Sequence, residues 1–444
     1  MSLVAVLLTT GMARGKDEVN YYDLLSTDRI GASKFITDHP TWDGRGVVVA
    51  ILDTGVDMTV PGLQKTSTGE VKVIDARDFT GQGVVHVKEV EESMEGSEPI
   101  LSGSGGVVRG HLKLSPAPQL ESLRLGFIDE RRFQNSQVPD LNDNGSSRDR
   151  FAVLLGKVLI EGKEVWQVWV DTDGDGHVDD EEAMGEYAET LKPLVFRRQG
   201  TEAGTPTMGV AIHLDPKRNE VVFHYPDGSH GSHCAGIASG FEIQGRKGYN
   251  GIAPGARVLS LKIGDNTLAG GATVTESMKR AIEFAGNYSK EHNVPVVMNV
   301  SYGIGTEREG ESDIDQVADR LLQRFPLLAM ATSAGNAGPG LSTVGTPAGA
   351  DLAFSAGALL TRENAQGLYG ARIARDVIFY FSSRGGELAK PNGLAPGVAA
   401  STVPNWETWP TMRGTSMASP QCAGAMALLA SASIQDDGLR KFNG

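Results

Sequence analysis

One uninterrupted apolar segment, Gly46-Val-Val-Val-Ala-Ile-Leu-Asp53, constrains the fold of this chain more than any other feature. A strand that is apolar at every position, rather than at alternate positions, is buried on both faces, as the strands of a parallel sheet are. The segment ends on Asp53, and open α/β sheets place their functional residues at the carboxyl ends of their strands. The sequence therefore predicts a buried parallel strand that carries a functional carboxylate at its end.

From residue 226 onward, strands and helices alternate along the chain. Apolar runs predict strands at 257–263, 295–301 and 327–333, and amphipathic or small-residue stretches predict helices at 273–289, 312–325 and 415–433. Ser312 is the expected N-cap of its helix, and Thr273-Val-Thr-Glu276 matches a capping box. Such alternation predicts an α/β fold with a doubly wound parallel sheet.

Residues 81–225 have a different pattern. Charged residues and Gly are frequent there, and short segments alternate between apolar and polar positions. This alternation predicts half-exposed strands at 151–160, 164–170, 208–214 and 220–225. We therefore expect a lead-in at 1–25, an α/β domain formed by 26–80 and 226–444, and a β-rich inserted domain at 81–225.

Composition narrows the classes of partner. The formal net charge is −14, and an acidic chain gains no free energy from counterion release at phosphates, so nucleic acid is not an expected partner. Anionic membrane surfaces are disfavoured for the same reason. The two cysteines, Cys234 and Cys422, exclude a disulfide framework, and no apolar run is long enough to span a bilayer. No organic cofactor is expected.

The N-terminal segment, Met1 to Gly15, leaves two alternatives open. Its apolar run Leu3–Leu8 resembles a trimmed signal peptide, but no basic residue precedes it. The alternative is an unstructured or strand-forming terminus. The first alternative slightly favours a secreted or cell-envelope protein over a cytoplasmic one.

Three short motifs follow one another in the order Asp, His, Ser. They are Asp53-Thr-Gly-Val-Asp57, His230-Gly-Ser-His-Cys-Ala-Gly236 and Gly414-Thr-Ser-Met-Ala-Ser-Pro420. Each alone has an ordinary structural explanation: a strand-end cap, a metal-binding pair or helix start, and a helix N-cap. Together, each at a strand end or a helix start, they predict a catalytic triad of Asp53, His230 and Ser416.

The chemistry of acyl transfer explains these residue types. The Ser416 hydroxyl has to lose its proton to attack a carbonyl, and His230 can accept that proton and later donate it to the leaving amine. Asp53 would hold one tautomer of the imidazole and stabilise the imidazolium. Ser416 begins a helix, so free N–H groups would face the developing oxyanion. The amide of Asn336, in Ser333-Ala-Gly-Asn336, would donate a second hydrogen bond; the alternative is a turn residue with positive φ.

With these four motifs in this order, residues 40–80 and 226–430 resemble the subtilisin family of serine peptidases. The resemblance implies the same triad and the same oxyanion donor. It also implies substrate contacts along two strand edges and in the pocket before the scissile bond, at Gly270, Gly271, Ser301, Tyr302, Gly303, Ser333, Ala334 and Gly335. His233 is similar to the family's buried structural His, and Cys234 and Cys422 are expected to pack in the core. Because the family's fold continues with a helix and strands beyond the Ser416 helix, we expect the chain to be C-terminally incomplete.

Several segments are more similar to the tripeptidyl peptidase II branch of that family. They are the long insertion between Asp53 and His230, 61–64, 341–347, 381–385 and 403–406. In that branch an acidic residue follows the Ser-Tyr-Gly segment and helps hold the free N-terminus of the substrate. Here Ile304 stands at that position, and Ala272 stands where a second acidic residue would fall.

These departures predict an endopeptidase that acts on extended polypeptides. One alternative is a tripeptidyl aminopeptidase, with a displaced carboxylate among Glu307, Glu309, Glu311 and Asp313 as its anchor. The other is a catalytically inactive, calcium-binding interaction protein.

The insertion also contains Asp171-Thr-Asp-Gly-Asp-Gly-His-Val-Asp-Asp-Glu-Glu182, which satisfies the pattern D-x-D-x-D-G-x₅-E of a calcium loop. Ca²⁺ prefers clustered carboxylate and carbonyl oxygens, and the loop needs a Gly for its sharp turn. The predicted ligands are the side chains of Asp171, Asp173, Asp175, Asp179 and Glu182 and the backbone carbonyl of His177, with Val178 buried. A predicted strand precedes the loop, so it is not a full EF-hand; the alternative is an acidic surface turn. A structural Ca²⁺ is therefore the expected metal.

Overall fold

The computed structural model describes residues 24–103, 105–112, 120–160, 162–198, 206–268, 275–436 and 438. Its first elements are α1 (Ala32–Asp38), β1 (Val48–Asp53) and β2 (Val73–Asp78). Then follow β3 (Val84–His86), β4 (Lys88–Glu89), β5 (Glu91–Glu95), β6 (Glu98–Gly103), β7 (Gly106–Arg109), β8 (Leu120–Asp129), β9 (Arg150–Ile160), β10 (Lys163–Val170), α2 (Tyr187–Thr190), β11 (Ala211–Asp215) and β12 (Glu220–His224). The remaining elements are α3 (His230–Ser239), β13 (Arg257–Lys262), α4 (Thr275–His292), β14 (Val296–Val300), α5 (Asp313–Arg324), β15 (Leu328–Ser333), β16 (Phe354–Leu360), α6 (Arg362–Tyr369), β17 (Val377–Ile378), β18 (Gly393–Pro396), β19 (Val398–Ala400), β20 (Thr411–Arg413) and α7 (Thr415–Gln435).

Strand β1 lies inside the central sheet, whose strand order is β17-β16-β15-β14-β1-β13-β2, with β18 also paired to β16. It pairs in parallel with β13 on one side and with β14 on the other. Every residue of β1 is buried, as its uninterrupted apolar sequence predicts. The pairings of this sheet are parallel except that of β16 with β17 at one edge. The prediction of a parallel sheet is therefore confirmed, with one antiparallel edge pair added.

Helices cover both faces of this sheet. Val49 and Ile51 belong to an apolar cluster that includes residues of α3 and α7. Val48, Ala50 and Leu52 belong to a second cluster that includes residues of α4 and α5. Because successive side chains of a strand point to opposite faces, β1 contributes to both cores. The doubly wound α/β fold is thereby confirmed, and the end of β1 is held between two packed layers.

Between β2 and α3 the chain is rich in antiparallel strands. They form a sheet of β10, β9, β8 and β4, a sheet of β11, β12 and β3, and a sheet of β5, β6 and β7. One apolar cluster in this region includes Phe151 and Phe223, and another includes Leu154 and Trp169. The predicted β-rich character is present; that these residues form a separate inserted domain stays a prediction.

The predicted helices and strands occur where they were expected, with ends that differ by up to three residues. Ser312 caps α5, because its hydroxyl accepts a hydrogen bond from the N–H of Asp315 at 3.1 Å. Thr273 of the expected capping box lies outside the described residues, as do most of the lead-in, Gly270, Gly271 and Ala272. Within the described ranges, no helix combines the length and the apolar character needed to cross a membrane.

Candidate active site

Asp53 and His230 meet at the carboxyl end of β1. Asp53 is the last residue of that strand, and His230 is the first residue of α3. Nδ1 of His230 lies 2.8 and 3.0 Å from the two carboxylate oxygens of Asp53, and the N–H of Thr54 donates to Oδ1 of Asp53 at 2.8 Å. A carboxylate on Nδ1 selects the tautomer that leaves Nε2 as a proton acceptor.

The Asp53 carboxylate also governs the protonation of His230. Burial on its own would lower the pKa of the imidazole, but the charge of Asp53 outweighs it, and the pKa of His230 lies well above its ordinary value. The side chain of Asp53 is only 2% exposed, whereas that of His230 is 35% exposed. The imidazole of His230 is therefore hydrogen-bonded to Asp53 on its buried side, and its opposite side is accessible to solvent.

The second His of the same motif has a different environment. His233 is fully buried on α3, and its Nε2 lies 2.9 Å from the carbonyl oxygen of Pro410. Burial lowers the pKa of His233 to about 3, so its imidazole stays neutral. This is the environment expected of a structural His.

Ser416 lies in the first turn of α7 and is partly exposed. Its hydroxyl donates to the carbonyl oxygen of Ser301 at 3.3 Å, and the hydroxyl of Ser301 donates to the carbonyl oxygen of Ser416 at 2.9 Å. Sγ of Cys234 lies 3.5 Å from that Ser416 carbonyl oxygen and 3.9 Å from Nδ1 of His230. Cys234 thus contacts both His230 and the backbone of Ser416, while the Ser416 hydroxyl is turned toward Ser301. Among the described residues, Ser416 and His230 share no hydrogen bond.

Asn336 lies on the exposed side of this helix start. Its Oδ1 accepts hydrogen bonds from both the N–H and the hydroxyl of Thr415, each at 3.0 Å. The amide NH₂ therefore points away from Thr415. In the described part of the chain, the N–H of Ser416 has no hydrogen-bond partner. The helix N–H and the Asn336 amide are two donors available to a developing oxyanion.

The residues expected to contact a substrate surround this point. Ser301 and Tyr302 follow the end of β14, Ser333 ends β15, and Ala334 is buried behind it. Gly335 has a φ of 108°, and its N–H donates to the Thr415 hydroxyl at 3.1 Å. Ser301 and Gly335 thus contact the start of α7, whereas Gly270 and Gly271 lie outside the described residues.

Gly303 gives this region an open backbone edge. It is exposed, and no residue in the described ranges hydrogen-bonds to its N–H or C=O. The next residue, Ile304, instead exchanges two backbone hydrogen bonds with Thr346, at 3.2 and 2.9 Å. An extended peptide can add to an open edge of this kind as a further strand.

Among the carboxylates that follow Ile304 in the sequence, Glu309 is buried and hydrogen-bonded to backbone groups. It is 5% exposed and accepts hydrogen bonds from the backbone N–H groups of Val344, Gly386, Glu387 and Leu388, at 3.0–3.4 Å. Burial raises its pKa, but these four donors outweigh burial and lower the pKa below its ordinary value. The hydrogen bonds of the Glu309 carboxylate therefore stabilise these loops.

The structure shows a buried ion pair that the sequence motifs did not indicate. Nζ of Lys262 lies 3.7 Å from the carboxylate of Asp227, and both side chains are buried. Lys262 also donates to the carbonyl oxygen of Gly264 at 2.8 Å, and the N–H of Asp227 donates to the carbonyl oxygen of Thr54 at 2.9 Å. The pair thus connects the residues after Asp53 with those before His230. Its signal in the sequence is a lone Lys in the apolar strand at 257–263.

The two cysteines are free thiols, and their burial disfavours the thiolate form. Burial raises the pKa of Cys234, and burial raises the pKa of Cys422 to about 12. One ligand atom from each of Asp53, His230 and Cys234 lies within 4.8 Å of the others, a spacing that could hold a metal ion. Two of these three groups already share hydrogen bonds, which favours their use as a catalytic pair.

The acidic loop at 171–182 lies in the β-rich region. Carboxylate oxygens of Asp171, Asp173 and Asp175 lie within 4.8 Å of one another, and Val178 is fully buried as expected. A second such group joins Asp173 to Asp180 and Glu181. Both groups consist of hard oxygen donors, which suits Ca²⁺.

The other predicted ligands of this loop lie differently. Among the described residues, Asp179 and Glu182 belong to neither carboxylate group, and the Glu182 carboxylate is 2.5 Å from Nζ of Lys192. The imidazole of His177 lies 3.4 Å from a carboxylate oxygen of Glu98. The sequence pattern selects Glu182, whereas in the structure it is the adjacent Glu181 that lies in a carboxylate group.

Known proteins resemble this chain in both sequence and fold. The model of the subtilase family of peptidases matches residues 44–436. Tripeptidyl-peptidase 2 of Caenorhabditis elegans is 31% identical over 91% of this chain and 32% of its own length. Pyrolysin of Pyrococcus furiosus is 29% identical, again over 91% of this chain and 32% of its own length. A crystal structure of tripeptidyl peptidase 2 superposes with a TM-score of 0.67 at 23% identity, over 91% of this chain and 34% of that one. The chain spans about a third of the length of these relatives.

Proposed function

Because this chain belongs to the subtilase family, we propose that it is a serine peptidase that hydrolyses peptide bonds through an acyl-enzyme intermediate. The observation that carries the proposal is the hydrogen-bonded pair of Asp53 and His230, together with Cys234, which contacts both His230 and Ser416 at the start of α7. This arrangement supplies a base, a group that orients the base, and a hydroxyl on the residue whose own helix N–H is unpaired among the described residues.

Acylation begins with rotation of the Ser416 hydroxyl from the Ser301 carbonyl toward Nε2 of His230. The Ser416 oxygen attacks the substrate carbonyl carbon while its proton passes to Nε2. The resulting oxyanion accepts hydrogen bonds from the N–H of Ser416 and from the amide of Asn336. The C–N bond then breaks, the imidazolium donates its proton to the leaving amine, and the acyl group stays on Ser416.

Deacylation uses the same groups with water as the nucleophile. A water molecule loses a proton to Nε2 of His230 and attacks the acyl carbonyl. The carboxylic acid product leaves as the proton returns to the Ser416 oxygen. Asp53 stays ionised throughout and stabilises the imidazolium in each half of the reaction.

The substrate in this proposal is an extended polypeptide that is cleaved internally. The open backbone edge at Gly303 can pair with such a chain. Ile304, which is 58% exposed at the end of that edge, offers no charge to an α-ammonium group. Glu309 is occupied by four backbone N–H groups, which removes one of the displaced carboxylates from consideration.

A tripeptidyl aminopeptidase is the second candidate. The name of the Caenorhabditis elegans relative favours it. It requires a carboxylate at a fixed distance from Ser416, because a buried, unpaired ammonium is unfavourable. Glu307, Glu311 and Asp313 are exposed and remain as candidates for that anchor.

A fluorophosphonate probe tests the nucleophile. The probe reacts with an activated Ser, so the wild-type protein should be labelled, and Ser416→Ala and His230→Ala should not. His86→Ala is the matched control, since His86 is exposed in β3 and should leave labelling unchanged. Labelling that survives in folded Ser416→Ala would contradict the assignment. Absence of labelling in the wild type would favour the catalytically inactive interaction protein.

We also propose that the acidic loop holds a structural Ca²⁺. Support comes from the clustering of the Asp171, Asp173 and Asp175 carboxylates, which repel one another unless a cation lies among them. The ion would stabilise the β-rich region, and it has no part in the acyl-transfer steps.

A further inference from the structure

A second loop with the conformation of the acidic loop lies at 140–145. Its sequence, Asp140-Leu-Asn-Asp-Asn-Gly145, follows the same D-x-[DN]-x-[DN]-G pattern as 171–176, at a separation of 31 residues. The fourth and sixth positions of both loops have positive φ: 54° at Asp143 and 90° at Gly145, against 76° at Gly174 and 82° at Gly176. The two loops therefore share an unusual backbone geometry as well as a sequence pattern.

The internal hydrogen bonds of the two loops also correspond. The carboxylate at the first position accepts from the N–H at the sixth: Asp140 from Gly145 at 2.7 Å, and Asp171 from Gly176 at 3.1 Å. The side chain at the fifth position accepts from the N–H at the seventh: Asn144 from Ser146 at 2.8 Å, and Asp175 from His177 at 2.7 Å. In both loops, the side-chain oxygens at the first and fifth positions are thus held by backbone N–H groups of the turn.

Two buried oxygens of the 140–145 loop point independently to a ligand. Asn142 is 2% exposed, and its Nδ2 donates to the carbonyl oxygen of Asp173 at 3.2 Å. This bond fixes the orientation of the amide, so Oδ1 faces away from that carbonyl. Oδ1 of Asn142 and Oδ1 of Asp140 are both buried and have no hydrogen-bond partner among the described residues. Buried acceptors without a partner are unfavourable and rare.

Glu130 holds this loop from outside. It is buried, and its two carboxylate oxygens accept from the N–H groups of Leu141 and Asp149, at 2.7 and 3.0 Å. Asp149 in turn accepts hydrogen bonds from the side chains of Asn144 and Ser146, at 2.5 and 3.2 Å. The conformation of the loop is therefore fixed by hydrogen bonds at both of its ends, unlike that of a simple acidic surface turn.

We propose that the 140–145 loop binds a second Ca²⁺ beside the one proposed for the acidic loop. The donors are Oδ1 of Asp140, Oδ1 of Asn142 and the side-chain oxygen of Asn144, which retains a second lone pair. Oxygen donors without nitrogen or sulfur favour Ca²⁺ over the transition metals. Two of the three donors are neutral amides, so this loop binds its ion more weakly than the acidic loop with its three carboxylates.

Counting bound ions tests this proposal independently of catalysis. The full chain is prepared as Ser416→Ala, so that self-cleavage cannot interfere, stripped with a chelator and titrated with Ca²⁺ under native mass spectrometry. We expect two ions per chain, the second with the weaker affinity. Asp140→Asn and Asp171→Asn should each retain one ion. Asp143→Asn removes the same charge from an exposed position of the same loop and should still bind two.

A gain-of-affinity variant separates ion binding from a merely structural role. Asn144→Asp places a carboxylate where the acidic loop has Asp175, but it loses the hydrogen bond to Asp149. Compared with the wild type, we expect this variant to bind the second Ca²⁺ several-fold more tightly. In the absence of Ca²⁺, we expect it to have a lower melting temperature than the wild type. One ion in the wild type together with an unchanged count in Asp140→Asn would overturn the proposal and assign the two buried oxygens to an ordered water. An equal loss in Asp140→Asn and Asp143→Asn would also overturn it, because the effect would then be one of net charge alone.

Discussion

Thr415 holds Asn336 by the oxygen of its side-chain amide. Both the N–H and the hydroxyl of Thr415 donate to Oδ1 of Asn336, each at 3.0 Å. Thr415 also directly precedes Ser416. One residue therefore connects the proposed nucleophile with the proposed oxyanion donor and fixes which face of the amide is free.

This relationship predicts separate kinetic effects for the two residues. Asn336→Ala should lower kcat by about 10²–10³ with little change in KM, because the amide binds the oxyanion of the transition state. Thr415→Val should lower kcat by a smaller factor, since the backbone N–H still orients the amide. Thr415→Ser keeps the hydroxyl and is the matched control. Steady-state kinetics on a peptide substrate measure all three, and a change confined to KM would argue against the oxyanion role.

The raised pKa of His230 predicts the acidic limb of the pH profile. Only the neutral imidazole can accept the Ser416 proton, so kcat/KM should rise with pH through the pKa of His230, at a value above the ordinary one of about 6.5. Asp53→Asn removes the charge that raises this pKa, so the limb should move to lower pH. The same variant should lower kcat by about 10⁴. A limb that stays at the wild-type pH in Asp53→Asn would show that another group controls it.

The endopeptidase proposal predicts indifference to the N-terminus of the substrate. Two matched peptides carry the reporter three residues from the N-terminus, one with a free amine and one acetylated. Without a carboxylate anchor, the two should have kcat/KM values within a few-fold of each other. A loss of orders of magnitude on acetylation would favour tripeptide release. Glu307→Gln, Glu311→Gln and Asp313→Asn, each measured separately, would then identify the anchor.

The environment of Glu309 predicts a stability effect with a defined pH dependence. The carboxylate is ionised at neutral pH and accepts four backbone hydrogen bonds, so Glu309→Gln should lower the free energy of unfolding by about 1–3 kcal/mol. The pKa in the folded state is lower than in the unfolded state. This contribution is therefore present above the unfolded pKa and is lost as pH falls through the folded pKa. Denaturant unfolding at pH 7 and in acid measures it, with the exposed Glu311→Gln as control.

The proposed Ca²⁺ of the acidic loop predicts stabilisation by mass action. A free concentration 100 times the Kd would add roughly 2.7 kcal/mol to the free energy of unfolding. A chelator should lower the melting temperature of the wild type, and Asp171→Asn should remove most of this dependence. Asp179→Asn should have little effect, because Asp179 belongs to neither carboxylate group of the loop. Equal losses of the chelator response in the two variants would restore Asp179 to the ligand set, and a wild type whose melting temperature does not respond to chelation would end the calcium proposal.

The sequence alone determined the central sheet and the order of the motifs. The run at 46–53 is apolar at every position, and only a strand covered on both faces accommodates that pattern, which the burial of all of β1 confirms. The position of α7 followed in the same way, from the run of small residues predicted as a helix at 415–433. Such features are predictable because they depend on neighbours along the chain.

Only the tertiary structure decided which groups meet through space. Three contacts join residues that are far apart in the sequence: Thr415 with Asn336, Lys262 with Asp227, and Glu309 with the loops at 344 and 386–388. Nothing in the local sequence pattern marks the partner in any of them. The same holds for the choice between Glu181 and Glu182, which depends on the direction of one side chain. A motif fixes which atoms are offered along the chain, whereas the packing of separate elements fixes where those atoms point, and the chemistry of the site depends on both.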